Sequence, residues 1–219
     1  MKSLRHVFRR FGRAPMFTSI ALITLALGIG ATTAIFSVVN GVLIKPLPYP
    51  ESQQLAGIWH LAPGVAGIAG NINCSPTMYF TYREENRTLQ DFGLWSNDGV
   101  TVTGAGEPEQ VQALDVTYGT LQALGVQPAA GRWFSQSDDT AGAPDTVMLT
   151  YGYWRRHFGG DAASVIGRAL IVDSKPHIII GVMPQNFRFL NSHADLILPQ
   201  QFDRAKIFLG ISVIKASPG

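Results

Sequence analysis

Thirty-one consecutive residues, 14–44, carry no charged side chain, and five cations stand immediately before them: Lys2, Arg5, Arg9, Arg10 and Arg13. An α-helix rises ~1.5 Å per residue, so about 20 apolar residues cross the roughly 30 Å hydrocarbon core of a bilayer. Residues 17–43 are therefore long enough to span a membrane with some tilt. Lys and Arg beside a span are retained on the cytoplasmic side, which places the N-terminus there and everything after Lys45 outside. A secretory signal is the rival reading, but its apolar region runs only about 7–15 residues and ends at a small-x-small cleavage site. Neither feature fits here, and a retained anchor is expected.

The charge divides at the same place. After residue 45 there are 11 basic and 15 acidic residues, a formal −4, although the whole chain is formally +2. The overall basicity thus comes from the tip, and the body offers no basic stripe for nucleic acid. A single cysteine, Cys74, excludes an internal disulfide framework, so the body must be held by its core.

Within residues 1–15, Leu4, Val7, Phe8 and Phe11 share one helical face, with Arg5, Arg9, Arg10 and Arg13 around the rest. Such an amphipathic helix lies at the headgroup level with its cations on anionic lipid, and can also dock a cytoplasmic partner. In the expected span, residues 16–44, Ala26, Gly30, Ala34, Ser37 and Gly41 form a stripe of small residues. Small residues at this spacing let helix backbones approach closely in lipid, so the span is expected to pack against other transmembrane helices.

Residues 45–219 read as one extracytoplasmic α+β region. Pro46, Pro48 and Pro50 forbid helix, and Tyr49 is expected at the membrane interface. A first strand is predicted at 55–60. A helix then opens with Ser75 as N-cap and Pro76 at its first position, and runs to about residue 89. It is expected to bury Met78, Tyr79 and Tyr82, with Leu89 as a further candidate at its end. Strands follow at 92–103 and 111–116, joined at Gly104-Ala105-Gly106. A short helix at 118–124 stops at Gly125. A strand at 145–149 and a helix at 151–158, ended by Gly159-Gly160, come next. Strands 169–172 and 178–182 form a hairpin across Asp173-Ser174-Lys175-Pro176, and 196–198 is a last short strand. Hairpins mixed with separated helices, without regular βαβ alternation, argue for the α+β class.

Catalytic patterns are missing from the sequence. There is no phosphate-binding Gly-x-x-x-x-Gly-Lys-Ser/Thr loop, no His-Glu-x-x-His pair and no Gly-x-Ser-x-Gly nucleophile setting. Asp138-Asp139 sits among Ser and Gly, where solvated turn acids are expected. No enzyme activity, cofactor or metal is expected.

Longer runs resemble a known family. Leu22-Ile23-Thr24-Leu25-Ala26-Leu27-Gly28-Ile29-Gly30-Ala31-Thr32-Thr33-Ala34-Ile35-Phe36-Ser37-Val38-Val39-Asn40 is similar to the first span of MacB-like (FtsX-like) ABC transporter permeases. Leu43-Ile44-Lys45-Pro46-Leu47-Pro48-Tyr49-Pro50 resembles the segment by which their bacterial multi-span relatives leave the membrane. The family's outer domain is resembled by Leu124-Gly125-Val126-Gln127-Pro128-Ala129-Ala130-Gly131-Arg132 and by Leu149-Thr150-Tyr151-Gly152-Tyr153-Trp154-Arg155-Arg156-His157-Phe158-Gly159-Gly160. Ile166-Gly167-Arg168 and Ile180-Gly181-Val182-Met183-Pro184 complete the set in the expected order.

The resemblance implies a permease subunit of the bacterial inner membrane with a periplasmic core domain. It further implies a separate cytoplasmic ATPase, whose hydrolysis moves the outer domain to export or extract cargo, usually in a homodimer. Gly125, Gly131 and Gly181 are implied to sit where a helix stops or the backbone turns sharply, and Trp154 and Phe158 to anchor the core. Ile211-Ser212-Val213-Ile214-Lys215-Ala216-Ser217-Pro218-Gly219 resembles a segment inside the family's outer domain, so that domain is expected to be C-terminally truncated here. The competing expectation is a single-span envelope adaptor or sensor without a transport role.

Overall fold

The computed structural model describes residues 15–40, 47–61, 71–104, 106–160 and 164–205. Arg5, Arg9, Arg10, Arg13 and Gly41, and the resemblance at residues 211–219, lie outside the described residues. Two compact units divide between Leu47 and Pro48.

The first unit contributes helix α1, Pro15–Val39. Its 25 residues rise about 37 Å, and residues Met16–Val39 are long and apolar enough to cross a membrane. The hydroxyls of Thr24 and Thr32 donate to the carbonyls of Ile20 and Gly28 one turn back, each at 2.9 Å. They are thereby satisfied without water, as a hydrocarbon surrounding demands. Ala26, Gly30, Ala34 and Ser37 lie on this helix and are exposed.

The second unit is α+β. Its helices are α2 (Pro76–Glu85), α3 (Thr120–Ala123) and α4 (Tyr151–Phe158). Strands β1 (His60–Leu61) and β2 (Asn71–Ile72) form a small antiparallel ribbon. The main sheet takes β3 (Trp95–Thr103), β4 (Glu109–Val116), β5 (Ala130–Gly131), β6 (Thr146–Leu149), β7 (Ala169–Val172), β8 (Lys175–Val182) and β9 (Leu196–Pro199). Its order is β5-β8-β6-β9-β4-β3-β7, with β6–β8 and β4–β9 parallel. Because β7 pairs with β8 as well as with β3, six strands close into a ring.

Closure explains the core. Five ring strands alternate, β8 does so across a register shift that makes Ile180 an extra residue, and each sends residues to one apolar cluster: Val100, Val102, Val111, Ala113, Val147, Leu149, Leu170, Val172, Ile179, Val182, Leu196 and Leu198. Tyr153 and Trp154 of α4 pack into the same cluster. The opposite faces of β4, β6, β8 and β9 hold a second cluster, including Leu114, Met148, Ile180 and Ile197, covered by Leu121 of α3, Phe134 and Phe189. A third, smaller cluster joins Cys74, Tyr79 and Leu94.

Several elements depart from the sequence reading. The predicted strand at 55–60 reduces to the His60–Leu61 pairing. Helix α2 ends at Glu85 because the Asn86 carboxamide captures the following backbone. Its oxygen accepts from the Thr88 and Leu89 amides at 3.1 and 2.8 Å, and its nitrogen donates to the Leu89 carbonyl at 2.6 Å. Tyr79 is buried, but Met78, Tyr82 and Leu89 are exposed, so the inward stripe is narrower than the apolar pattern suggested. The β7–β8 turn is only Asp173-Ser174, both at positive φ (47° and 67°), the geometry of a type I′ hairpin. Pro176 therefore lies inside β8, opposite Ile171. Ile178 donates to the Asp145 carbonyl, so the nitrogen of Pro176, two residues earlier, faces past the start of β6 and loses no bond.

Tyr49 is also relocated. It is 6 % exposed, inside the second unit; its hydroxyl donates to the Arg188 carbonyl at 2.9 Å and accepts from the Leu190 amide at 3.1 Å. A tyrosine whose ring and hydroxyl are both claimed by the domain has no side chain left for an interface.

Candidate functional site

Gly131, Arg132 and Gly181 meet at one place. Strand β5 pairs with β8 so that Gly131 lies opposite Gly181. Gly131 has φ +76°, and a Cβ there would run into the Ile180 carbonyl. A Cβ on Gly181 would lie 2.7 Å from the Arg132 carbonyl oxygen and 2.8 Å from the Met148 methyl. Gly181 thus sits inside a strand rather than at a turn, and what requires glycine is the close approach of two backbones. Gly125, by contrast, follows α3 at φ +68°, the left-handed position past a helix end.

Arg132 leaves this crossing to form a fork with Asp138, through Nη1–Oδ2 at 2.6 Å and Nη2–Oδ1 at 2.9 Å. Asp138 Oδ2 also accepts from the amide and hydroxyl of Ser135, at 2.7 and 2.5 Å. Burial of Asp138 opposes its ionisation, but the Arg132 guanidinium and the two Ser135 donors outweigh burial and hold its pKa at about 2. The expectation of a solvated turn acid is therefore corrected: Asp138 is buried and fully engaged. Its neighbour Asp139 accepts from the amides of Tyr118 and Gln201, each at 2.9 Å. Burial raises Asp139 to about 6 despite those donors.

The same region gathers further ties. Gln122 accepts from the Gly119 amide at 2.9 Å and donates to the Phe134 carbonyl at 2.8 Å. Trp133 Nε1 donates to the Val126 carbonyl at 2.9 Å. Gln201 Nε2 donates to the Asp138 carbonyl at 3.0 Å. Residues 118–139 and the segment that follows β9 are thus one polar junction. In the sequence Asp138-Asp139 read only as solvated turn acids and Gln201 was not singled out, yet a signal was present. Ser135-Gln136-Ser137-Asp138 has the Ser-x-x-Asp spacing in which an acid folds back onto the amide three residues earlier.

Trp154 and Phe158 are elsewhere. Both belong to the ring cluster, Trp154 buried and Phe158 partly buried against it, with the Arg168 guanidinium 5.5 Å from the Phe158 ring centroid. On the same helix, Arg156 pairs with Asp195 at 2.5 Å and His157 with Glu109 at 3.1 Å.

Chemically, this arrangement orders structure. A carboxyl held at about 2 is a poor proton acceptor at neutral pH, and the bonds from Arg132 and Ser135 use Asp138 to order the loop. Among the described residues no group of three or more His, Cys, Asp or Glu is placed to hold a metal ion. A polar cavity of about 150 Å³ lies between Arg83, Asn86, Asp91, Phe92 and Tyr118, and Arg83 already stacks on Tyr118 at 3.6 Å and donates to Tyr79 at 2.7 Å. It falls below the ~300–1,000 Å³ of ordinary ligand pockets.

A search of curated protein sequences gives no match. Similar solved structures include the periplasmic region of MacB from Actinobacillus actinomycetemcomitans, with 15% identity and a TM-score of 0.48 over 62% of this chain and 59% of that one. Another is the extracellular domain of the noncanonic ABC-type transporter YknZ from Gram-positive bacteria, with 15% identity and a TM-score of 0.41 over 50% of this chain and 54% of that one. The match therefore spans somewhat over half the length of each structure. The sequence pattern of the MacB-like periplasmic core domain, a domain of ABC transporter permeases, matches residues 18–218. That match starts within α1 and runs through every strand of the ring, and by it the chain belongs to the MacB-like periplasmic core domain family.

Proposed function

We propose that the chain serves as membrane-spanning and outer-domain sequence of a permease subunit in a MacB-like ABC transport system of the bacterial inner membrane. In this reading a separate cytoplasmic ATPase supplies the energy, and the outer domain moves in response to export or extract cargo. The observation that carries it is the family match, which joins an apolar helix and the outer domain in one continuous assignment. The cations at Arg5, Arg9, Arg10 and Arg13 support a cytoplasmic N-terminus resting on anionic lipid. The stripe at Ala26, Gly30, Ala34, Ser37 and Gly41 supports packing against other spans, including those of a second copy. The polar junction at Arg132 and Asp138 supports a stiff outer domain that moves as a body.

The test reads motion. In the full chain, Lys175→Cys places a thiol at the exposed start of β8, while native Cys74 is buried and pushed up to about 11, hence slow to react. In right-side-out membrane vesicles loaded internally with ATP or with a non-hydrolysable analogue, the rate at which the introduced thiol reacts with an impermeant thiol reagent outside is expected to differ between the two. A rate indifferent to ATP, in membranes that hydrolyse it, would count against coupling.

A further inference from the structure

Tyr49, the second residue of the outer unit, has its hydroxyl closed on both sides by one loop, between the Arg188 carbonyl and the Leu190 amide. Within that grip Leu190 sits at φ +48°, a left-handed conformation strained for an L-residue. The side chain presented there is apolar and 48% exposed. Beside it the Trp95 ring packs edge-on against buried Phe189, with centroids 5.1 Å apart, yet stays 41% exposed. Arg188 is exposed, and residues 184–194 contain Arg188 and His193 but no Asp or Glu.

An exposed leucine, a half-exposed tryptophan and a cation on an acid-free loop have the chemistry of a surface that settles at lipid headgroups. The leucine is apolar, the indole ring amphipathic, and the cation matches anionic lipid. Chain length keeps this loop within reach of such a surface. Only residues 45–48 separate Tyr49 from the membrane-spanning segment read at 16–44, and a tether of four residues spans at most about 14 Å. We propose that the Tyr49-gripped loop, with Leu190, Arg188 and neighbouring Trp95, is a membrane-contact surface of the outer domain that inserts shallowly into the anionic outer face of the bilayer. This rests on the reading that residues 16–44 span the membrane.

The test uses the full chain in phosphatidylcholine–phosphatidylglycerol vesicles, with a nitroxide on Leu190→Cys or, separately, Trp95→Cys. Lys175→Cys is the reference, because Lys175 pairs with Val172 and Val172 with Val102, seven residues along β3 from Trp95 and about 23 Å away. Native Cys74 stays in place, since it is buried. Collision with oxygen relative to a water-soluble nickel complex is expected to be several-fold higher at 190 and 95 than at 175. Ratios as low at 190 and 95 as at 175, in vesicles that carry the chain on flotation, overturn the contact while leaving the span intact. A label at 190 shielded from both agents means that protein covers the loop, which also overturns it. Failure of the chain to float removes the spanning reading and this proposal together.

Discussion

Gly131 and Gly142 share a left-handed backbone, φ +76° and +80°, but not a neighbourhood. A Cβ on Gly131 meets the β8 backbone, whereas one on Gly142 meets nothing within 4 Å. Gly142→Ala is expected to cost about 1 kcal/mol from backbone strain alone. Gly131→Ala is expected to cost about 3 kcal/mol or more, because β5 must leave β8 to admit the methyl group. Thermal unfolding of the two variants side by side checks the difference. Asp115 of β4 offers a second residue-level test. Burial, with Asp98 and Asp173 nearby, raises it to about 7. Its folded pKa exceeds its unfolded value, so the folded state holds the proton more tightly and stability declines as pH rises from about 4 to about 7. Asp115→Asn should flatten much of that decline and be the more stable protein at pH 8, by about 1–3 kcal/mol. Some slope should persist, since Asp139 is raised to about 6 by burial. Identical melting profiles from pH 4 to 8 would show that Asp115 is not held this way.

Elements were legible where local chemistry decides them. Helix α4 runs from Tyr151 to Phe158 as read from the sequence, because Thr150 is extended at its start and Gly159 takes φ +68° at its end. Ser75 caps α2 through the Met78 amide at 3.3 Å, again a local effect. Strand β5 was not legible: two residues without a hydrophobic run become a strand only because Gly131 can approach Gly181. Ring closure was equally hidden, since the β3–β7 pairing rests on two residue pairs between segments about seventy positions apart. The Asp173-Ser174 turn yields an element-level prediction. Ser174→Gly should stabilise the hairpin by about 0.5–1 kcal/mol, because glycine accepts φ +67° without strain, while Asp173 keeps its 2.8 Å bond from the Thr101 amide. A melting temperature unchanged or lowered would contradict it. In α1, the exposed small-residue stripe predicts that Gly30→Ile with Ala34→Ile weakens association with other spans while insertion is kept. Crosslinking yield between membrane-inserted copies reads this, and an unchanged yield would make the stripe incidental.

At the scale of the whole molecule, an apolar helix and a six-stranded ring belong to one family pattern, and among the described residues no group of three or more His, Cys, Asp or Glu is placed to hold a metal ion. The candidate site was legible in part: Arg132 stood in a recognisable run, but its partner Asp138 resembled any loop acid until the fold buried it. An outer domain stiffened by the Gly131–Gly181 crossing and the Arg132–Asp138 fork suits a part that is moved rather than one that reacts. On the proposed reading, a separate cytoplasmic ATPase supplies the energy. The most direct test is to purify the tagged chain, expressed from its own locus, out of native membranes in mild detergent and identify what accompanies it. The account predicts stoichiometric recovery of a subunit bearing a Gly-x-x-x-x-Gly-Lys-Ser/Thr loop. Recovery of the intact, folded chain without any nucleotide-binding subunit would contradict it and favour a membrane-anchored adaptor.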